Sequence, residues 1–390
     1  MKQEFKLARG WFYFVVIITG LLSIGIPIGA FNIILNASAG SETAFYVMAF
    51  LLCESLFLFL LALAVKNKVV VDEEKIVYTG VFISRTLHIG DIKGFKVDDN
   101  YLYFFPQTKR LKKIKVSTYF GRFQELILWA KIHCRDLDQE QFEEDQGEIL
   151  GNENYGDSVD ERLNQLAKAK SFTRVYTGIS LVIAFATILF PNLFYEAQIV
   201  LCAIIPLVTV LIPRFSKGLI KLFEKKGSAF PNVTGAFLLP PIALMLRSLT
   251  DFTLLDYNAL WLPCGIVFSL FSLLVFSDAY SKYDFSKPIG YFGVLGVLII
   301  SAAYSYGVVG TSNATFDNSV PNLFKAEVLD KRKSSGKTTT YYLELSPWGP
   351  QTEIEDVHVS SRVYGYYSVG DTAYVYYSQG LFGVSYFIVQ

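Results

Sequence analysis

Histidine and cysteine are scarce, with three of the first and four of the second in 390 residues. The histidines, His88, His133 and His358, are scattered, and no HExxH, CxxC or GxSxG motif occurs. Metal centres and nucleophilic constellations of the familiar spacings are thereby excluded. His133 and Cys134 are neighbours, but adjacent positions on a helix point in different directions, which removes a Cys–His dyad. Cys53, Cys202 and Cys264 fall in apolar runs, so there is no disulfide framework. Charge is also low. With 18% charged residues and a formal net charge of zero, the chain lacks the basic surface that nucleic-acid phosphates require. The most acidic stretch, DLDQEQFEED, carries Gln141 at the sixth position, where an EF-hand loop needs glycine. GKT at 336–338 lacks the upstream glycine spacing of a phosphate loop. These absences predict a chain without a catalytic centre, metal or cofactor.

What the chain does have is apolar length. It is 52% hydrophobic, with a mean hydropathy of +0.36. Apolar runs at about 11–31, 45–65, 175–191, 197–213, 233–247, 259–277 and 288–309 predict seven spans near the ~20 residues a bilayer needs. The first run lacks a small-x-small cleavage site and predicts a retained span. The fifth, FLLPPIALML, carries Pro240 and Pro241, which remove backbone donors and predict a broken, kinked or re-entrant helix. The first six spans form three hairpins with tips at 32–44, 192–196 and 248–258. Lys2, Lys6, Arg9, Arg214, Lys217, Lys221, Lys225, Lys226, Lys282 and Lys287 flank the other ends, while Arg247 alone borders a tip. That bias predicts a cytoplasmic N-terminus, a cytoplasmic insert and a C-terminus outside.

The insert breaks into short strands, KNKVVVD, KIVYTG, SRTLHIG, IKGFKVDD, YLYFFPQ and LKKIKVS, punctuated by turn residues. An amphipathic helix follows at about 120–134, with Phe123, Ile127 and Ala130 at helical spacing. A bent antiparallel sheet closed by one helix satisfies that pattern. The DEEKIVYTG hairpin, the HIGDIKGFKV strand entry and the helix FQELILWAKI together resemble the bacterial pleckstrin-homology-like domain. The resemblance implies a lipid- or protein-binding module, with membrane lipids, anionic headgroups among them, and other membrane or envelope proteins as partners. Lys109, Arg110, Lys112, Lys113 and Lys115 cluster around one hairpin. Two readings stand side by side: attraction to an anionic leaflet, worth about 1 kcal/mol per cation, or charges that protect a sheet edge. Residues 136–161 hold eleven Asp or Glu and no Lys or Arg, which predicts a self-repelling linker. A helix then restarts at Ser158, with Glu161 completing a capping box and Lys168, Lys170 and Arg174 anchoring it at the membrane surface.

From about 322 the strands FKAEVLD, TTTYYLELS, EIEDVHVS, TAYVYYS and VSYFIV predict a small barrel. It is similar to OB- or SH3-like domains that end membrane proteins. Tyr364, Tyr366, Tyr367, Tyr374, Tyr376 and Tyr377 are candidates for a stacking face or for the barrel wall. Glu54, near the middle of span two, is either a proton or cation site or a hydrogen-bonded structural acid. The sequons at Asn36 and Asn313 carry little meaning in a bacterial host.

The predicted organisation is an N-terminal transmembrane hairpin (1–65), a cytoplasmic PH-like β domain (66–135), an acidic linker (136–157), an amphipathic helix with five further transmembrane segments (158–309) and an extracytoplasmic β-domain (310–390). That describes an α-helical polytopic protein of the bacterial plasma membrane, acting as a non-catalytic scaffold or sensor. The alternative is a transporter or channel using Glu54 and the proline-broken span.

Overall fold

A computed structural model describes residues 2–36, 41–191, 193–225, 227–279, 288–335 and 339–389. They group into two compact units, Met1–Asp145 with Gly227–Ala229, and Gln146–Lys226 with Phe230–Gln390. Lys226, Lys282, Lys287, GKT at 336–338 and part of the 32–44 tip lie outside the described residues, as does the remainder of the Asn36 sequon.

The first unit opens with a strand, β1 (Gln3–Lys6), before helices α1 (Arg9–Asn36) and α2 (Ser41–Lys66). After α2 come β2 (Lys68–Val71), β3 (Lys75–Thr79), β4 (Ser84–His88), β5 (Ile92–Val97), β6 (Tyr101–Pro106), β7 (Ile114–Ser117) and helix α3 (Phe123–His133). Strands β1 to β4 form one antiparallel sheet in sequence order, and β5 to β7 form a second. Period-two alternation decides what each strand buries. Leu102 and Phe104 of β6 and Ile114 and Val116 of β7 turn inward, while Tyr101, Tyr103, Phe105 and Lys115 stay outside. The inward residues share one core with Phe5, Val69, Ile76, Leu87 and Phe95, closed by Leu126 and Trp129 of α3. Strand β1 pairs with β2, and Phe5 is 1% exposed. The β-module therefore begins before the first apolar helix rather than at residue 66.

The acidic segment is not a linker but helix α4 (Leu137–Gly151). Asp136 Oδ1 accepts from the N–H groups of Asp138 and Gln139 at 3.0 and 3.2 Å, supplying the N-terminal cap. Two apolar residues, Leu137 and Ile149, are buried. Lys96 Nζ lies 2.9 Å from Asp138 Oδ1, so acidic repulsion is partly offset. Asp145 accepts from the Ser228 hydroxyl and from Ala229 N–H.

In the second unit the helices are α5 (Val159–Leu189), α6 (Tyr195–Phe215), α7 (Thr234–Thr250), α8 (Tyr257–Ala279) and α9 (Pro288–Thr315). Ser158 Oγ caps α5 by accepting from Glu161 N–H at 3.2 Å, and the Glu161 carboxylate accepts from Asp157 N–H at 2.9 Å, one residue earlier than a reciprocal box would place it. Among the described residues, five helices are long and apolar enough to cross a membrane: part of α2, then α5, α6, α8 and most of α9. Helix α7 and the Arg9–Gly25 part of α1 are apolar but shorter.

Helix α7 packs against α5, α6 and α9. It runs uninterrupted through Pro240 and Pro241, so the expected helix break does not occur. Both prolines are buried among those neighbours, and that packing holds the helix where two donors are missing. Gly307 permits a close backbone approach. A Cβ there would lie 2.6 Å from the Met245 nitrogen. Inside, Phe237 stacks on Phe271 at 5.9 Å and Phe271 on Tyr304 at 4.2 Å.

Strand β8 (Thr253–Leu254) follows α7, and after α9 come β9 (Asn322–Ser335), β10 (Thr339–Leu345), β11 (Glu355–Val359), helix α10 (Ser361–Tyr366), β12 (Thr372–Ser378) and β13 (Tyr386–Val389). They form one near-closed, six-stranded sheet in the order β11-β10-β9-β12-β13-β8. The predicted hairpin tip at 248–258 thus supplies a strand of the C-terminal domain. Asn313, at the end of α9, is fully buried, which removes it as a glycan acceptor. Its Nδ2 donates to the Val384 carbonyl at 2.7 Å, and its Oδ1 accepts from Phe382 N–H at 2.9 Å. The tyrosines of this domain do not make one stacking face. Tyr367 lies in the core and Tyr364 and Tyr377 pack on it, whereas Tyr366 and Tyr374 are exposed.

Candidate functional site

The outward residues of β6 and β7 form an aromatic and basic ladder. Tyr101 and Tyr103 have ring centroids 5.9 Å apart, and Phe105 continues the row at 6.1 Å. Lys115 Nζ sits 3.4 Å from the Tyr101 centroid, and Lys113 Nζ lies 5.0 Å from Tyr103 and 5.6 Å from Phe105. Cation–π contact of this kind contributes about 0.5–1 kcal/mol at exposed sites and fixes where the ammonium groups sit. One end of the ladder is held by Asp98. The Asn100 and Tyr101 N–H groups and the Tyr103 hydroxyl hold its carboxyl below the usual carboxylate value. The same contact, after burial, pushes the Tyr103 phenol upward.

Lys109, Arg110, Lys112 and Lys113 occupy the exposed loop between β6 and β7. Arg85 Nη1 donates to the Lys113 carbonyl at 2.7 Å, tying that loop to the start of β4. Immediately before β4 lie Phe82, 82% exposed, and Ile83, 51% exposed. Phe82 stacks on Phe59 of α2 at 5.8 Å. At the other edge of the module, Trp11 of α1 packs on Tyr119 at 4.4 Å and Ala8 N–H donates to the Tyr119 carbonyl. The ring contacts to α1 and α2 thus flank the module, with the basic loop and the apolar tip beside α2.

Strand β7 is an edge of its sheet and carries Lys115, whereas Lys109, Arg110 and Lys112 lie in the loop before the strand. The lysine cluster was legible in the sequence; the Phe82–Ile83 tip was hidden in a segment that reads as plain strand alternation.

Glu54 lies on α2, with Oε1 buried and without a hydrogen-bond partner among the described residues. Pro240 and Pro241 lie inside unbroken α7, so they offer none of the free helix ends that a broken-helix ion site uses. His133 stacks on Trp129 at 4.9 Å, and His358 meets the Tyr342 ring edge-on at 5.6 Å. Both serve packing.

Fold and site together describe a membrane-spanning protein carrying a β-module and a near-closed sheet. The chain matches no protein-family model, no curated protein and no solved structure.

Proposed function

We propose that the protein is a non-catalytic scaffold or sensor of the bacterial plasma membrane, whose PH-like β-module engages the anionic inner leaflet. The carrying observation is the Arg85 bond that sets the basic loop beside the exposed Phe82–Ile83 tip. Cations near an anionic surface contribute about 1 kcal/mol each, and apolar side chains inserted at the headgroup level add to that. The four-plus-three strand arrangement closed by α3 supports the PH-like reading. The near-closed sheet supports a small barrel of OB or SH3 type. The apolar runs support seven spans, with α1 and α7 among them, and the Lys and Arg bias supports a cytoplasmic N-terminus and a C-terminal domain outside. On this reading the outer domain meets other membrane or envelope proteins.

The test uses the full chain in nanodiscs of phosphatidylcholine, with and without phosphatidylglycerol, read by hydrogen exchange. Amides at 80–84 and 107–113 should gain protection with the anionic lipid. That gain should shrink in 1 M salt, where the Debye length falls to about 3 Å. It should also shrink in K109Q/R110Q/K112Q. Equal exchange in both lipids would remove the leaflet reading.

Transport is the second reading, favoured by the buried, unpartnered Glu54 Oε1. Under it, Glu54→Gln abolishes a cellular phenotype while the protein stays folded and inserted. A silent Gln variant removes it.

A further inference from the structure

A cavity of about 690 Å³ lies within the second unit, where the sheet meets the end of the helices. Edge strand β11 with Ser360 forms one wall and β13 another; β8, the opposite edge, is only two residues long and pairs with Tyr386 and Phe387, leaving Ile388 and Val389 of β13 uncovered on that side. The floor is polar and comes from the helices: Arg247 and Asp251 at the end of α7, and Tyr195 at the start of α6. Leu249, Phe252, Val363 and Ile388 add the apolar lining, with Thr253, Thr315 and His358 among the polar groups. A mostly apolar cavity of this size with a few convergent polar groups is the usual form of a small-molecule site.

The polar floor is lopsided. Asp251 is engaged through both oxygens: Arg247 Nη2 lies 2.9 Å from Oδ1, and the Tyr195 hydroxyl donates to Oδ2 at 2.5 Å. Arg247 keeps donors to spare. Its side chain is 14% exposed, the Tyr195 ring lies 5.9 Å from its Cζ, and its ion pair, through Nη2 to Asp251, is the only one it makes among the described residues. Asp251 and Tyr195 hold the guanidinium in place, and the part of it that stays accessible faces the cavity. A cation is disfavoured by Arg247, and a neutral apolar molecule offers the guanidinium no acceptor.

We propose that this cavity binds an anionic amphiphile, with its carboxylate or phosphate on Arg247 and its apolar body between β11 and β13. The site lies at the ends of apolar helices, of which α6 and α9 are long enough to cross a membrane. Charge-assisted hydrogen bonds from arginine suit both head groups.

The full chain in phosphatidylcholine nanodiscs is titrated with decanoate, decyl phosphate and decanol, and the thermal midpoint is followed. Decanoate or decyl phosphate should raise the midpoint saturably, and the stronger of the two identifies the head group. Decanol should not. Arg247→Gln should weaken the binding by about 10- to 100-fold, the usual loss for one bond to a charged group. Should that variant fail to fold, Leu249→Trp decides, since it fills the cavity from an exposed position and keeps Arg247 and Asp251. It should lose binding to a similar extent. Equal stabilisation by decanol, full affinity in Leu249→Trp, or no shift with either anion would overturn the proposal.

Discussion

Replacing Asn313 with alanine tests how the C-terminal domain is held to the helices. The amide is fully buried and bonded through both of its polar atoms, to the Val384 carbonyl and the Phe382 N–H. Val384 is itself 0% exposed, so its carbonyl would be left orphaned at about 1–3 kcal/mol. Phe382 is 47% exposed, so its N–H regains water and costs only about 0.5–1.5 kcal/mol. The sum is about 1.5–4.5 kcal/mol. At 1.4 kcal/mol per factor of ten, that is about a 12- to 1,600-fold rise in local opening. Proteinase K cleavage of the 379–385 turn, quantified by mass spectrometry on the protein in nanodiscs, reads the opening directly. Asn313→Asp adds a pH signature. Its buried carboxylate faces the Val384 carbonyl, so its folded pKa should be raised, and stability should be recovered in acid and lost as pH rises. Cleavage of Asn313→Ala within about threefold of the wild-type rate would refute the reasoning, because such a change is below one net hydrogen bond.

Phe5→Ala should destabilise the β-module by about 3–5 kcal/mol in urea unfolding, the cost of a large core truncation; a surface-like effect would mean that β1 is not part of the fold. Gly307→Ala should lower the thermal midpoint, because its Cβ would stand 2.6 Å from Met245 N, with overpacking costing about 1–3 kcal/mol. Gly296→Ala on the same helix, with open space around it, should be neutral or stabilising. Burial pushes the Cys134 thiol from 9.0 up to about 11, so alkylation at that peptide should accelerate roughly 100-fold on unfolding. Burial also raises the Glu355 carboxyl above its ordinary 4.5, which makes its charge a cost that grows as pH rises through the folded value. Glu355→Gln should therefore stabilise the sheet domain at pH 7, with the gain fading toward pH 4, as read by thermal unfolding.

The apolar runs and the alternating strands were legible in the sequence because each repeats a local period over many residues. Short elements with distant partners were not. QEFK carries no turn signal, and its partner strand lies beyond two apolar helices. Thr253 and Leu254 are only two residues long, and Leu254 pairs with Tyr386. The acidic segment misled because charge density suggests repulsion, whereas glutamate, glutamine and leucine are good helix formers and Asp136 supplies a cap. Pro240 and Pro241 misled for the opposite reason: a local penalty was overridden by packing. Arg247 and Asp251 stand at i, i+4 spacing and could have been noticed as a pair. The Tyr195 bond to Asp251 and the cavity beside the pair become visible only in three dimensions.

The strand pairings carry a consequence for how the chain is threaded. A water-exposed sheet cannot have strands on both sides of a bilayer. Because β1 pairs with β2, the chain between them, α1 and α2, must cross the membrane an even number of times. Because β13 pairs with β8, the chain through α8 and α9 must do the same. These two ladders act as parity checks on insertion. If α9 failed to insert while α8 did, β9 to β13 would be stranded across the bilayer from β8, and the sixth strand of the sheet would have nothing to join.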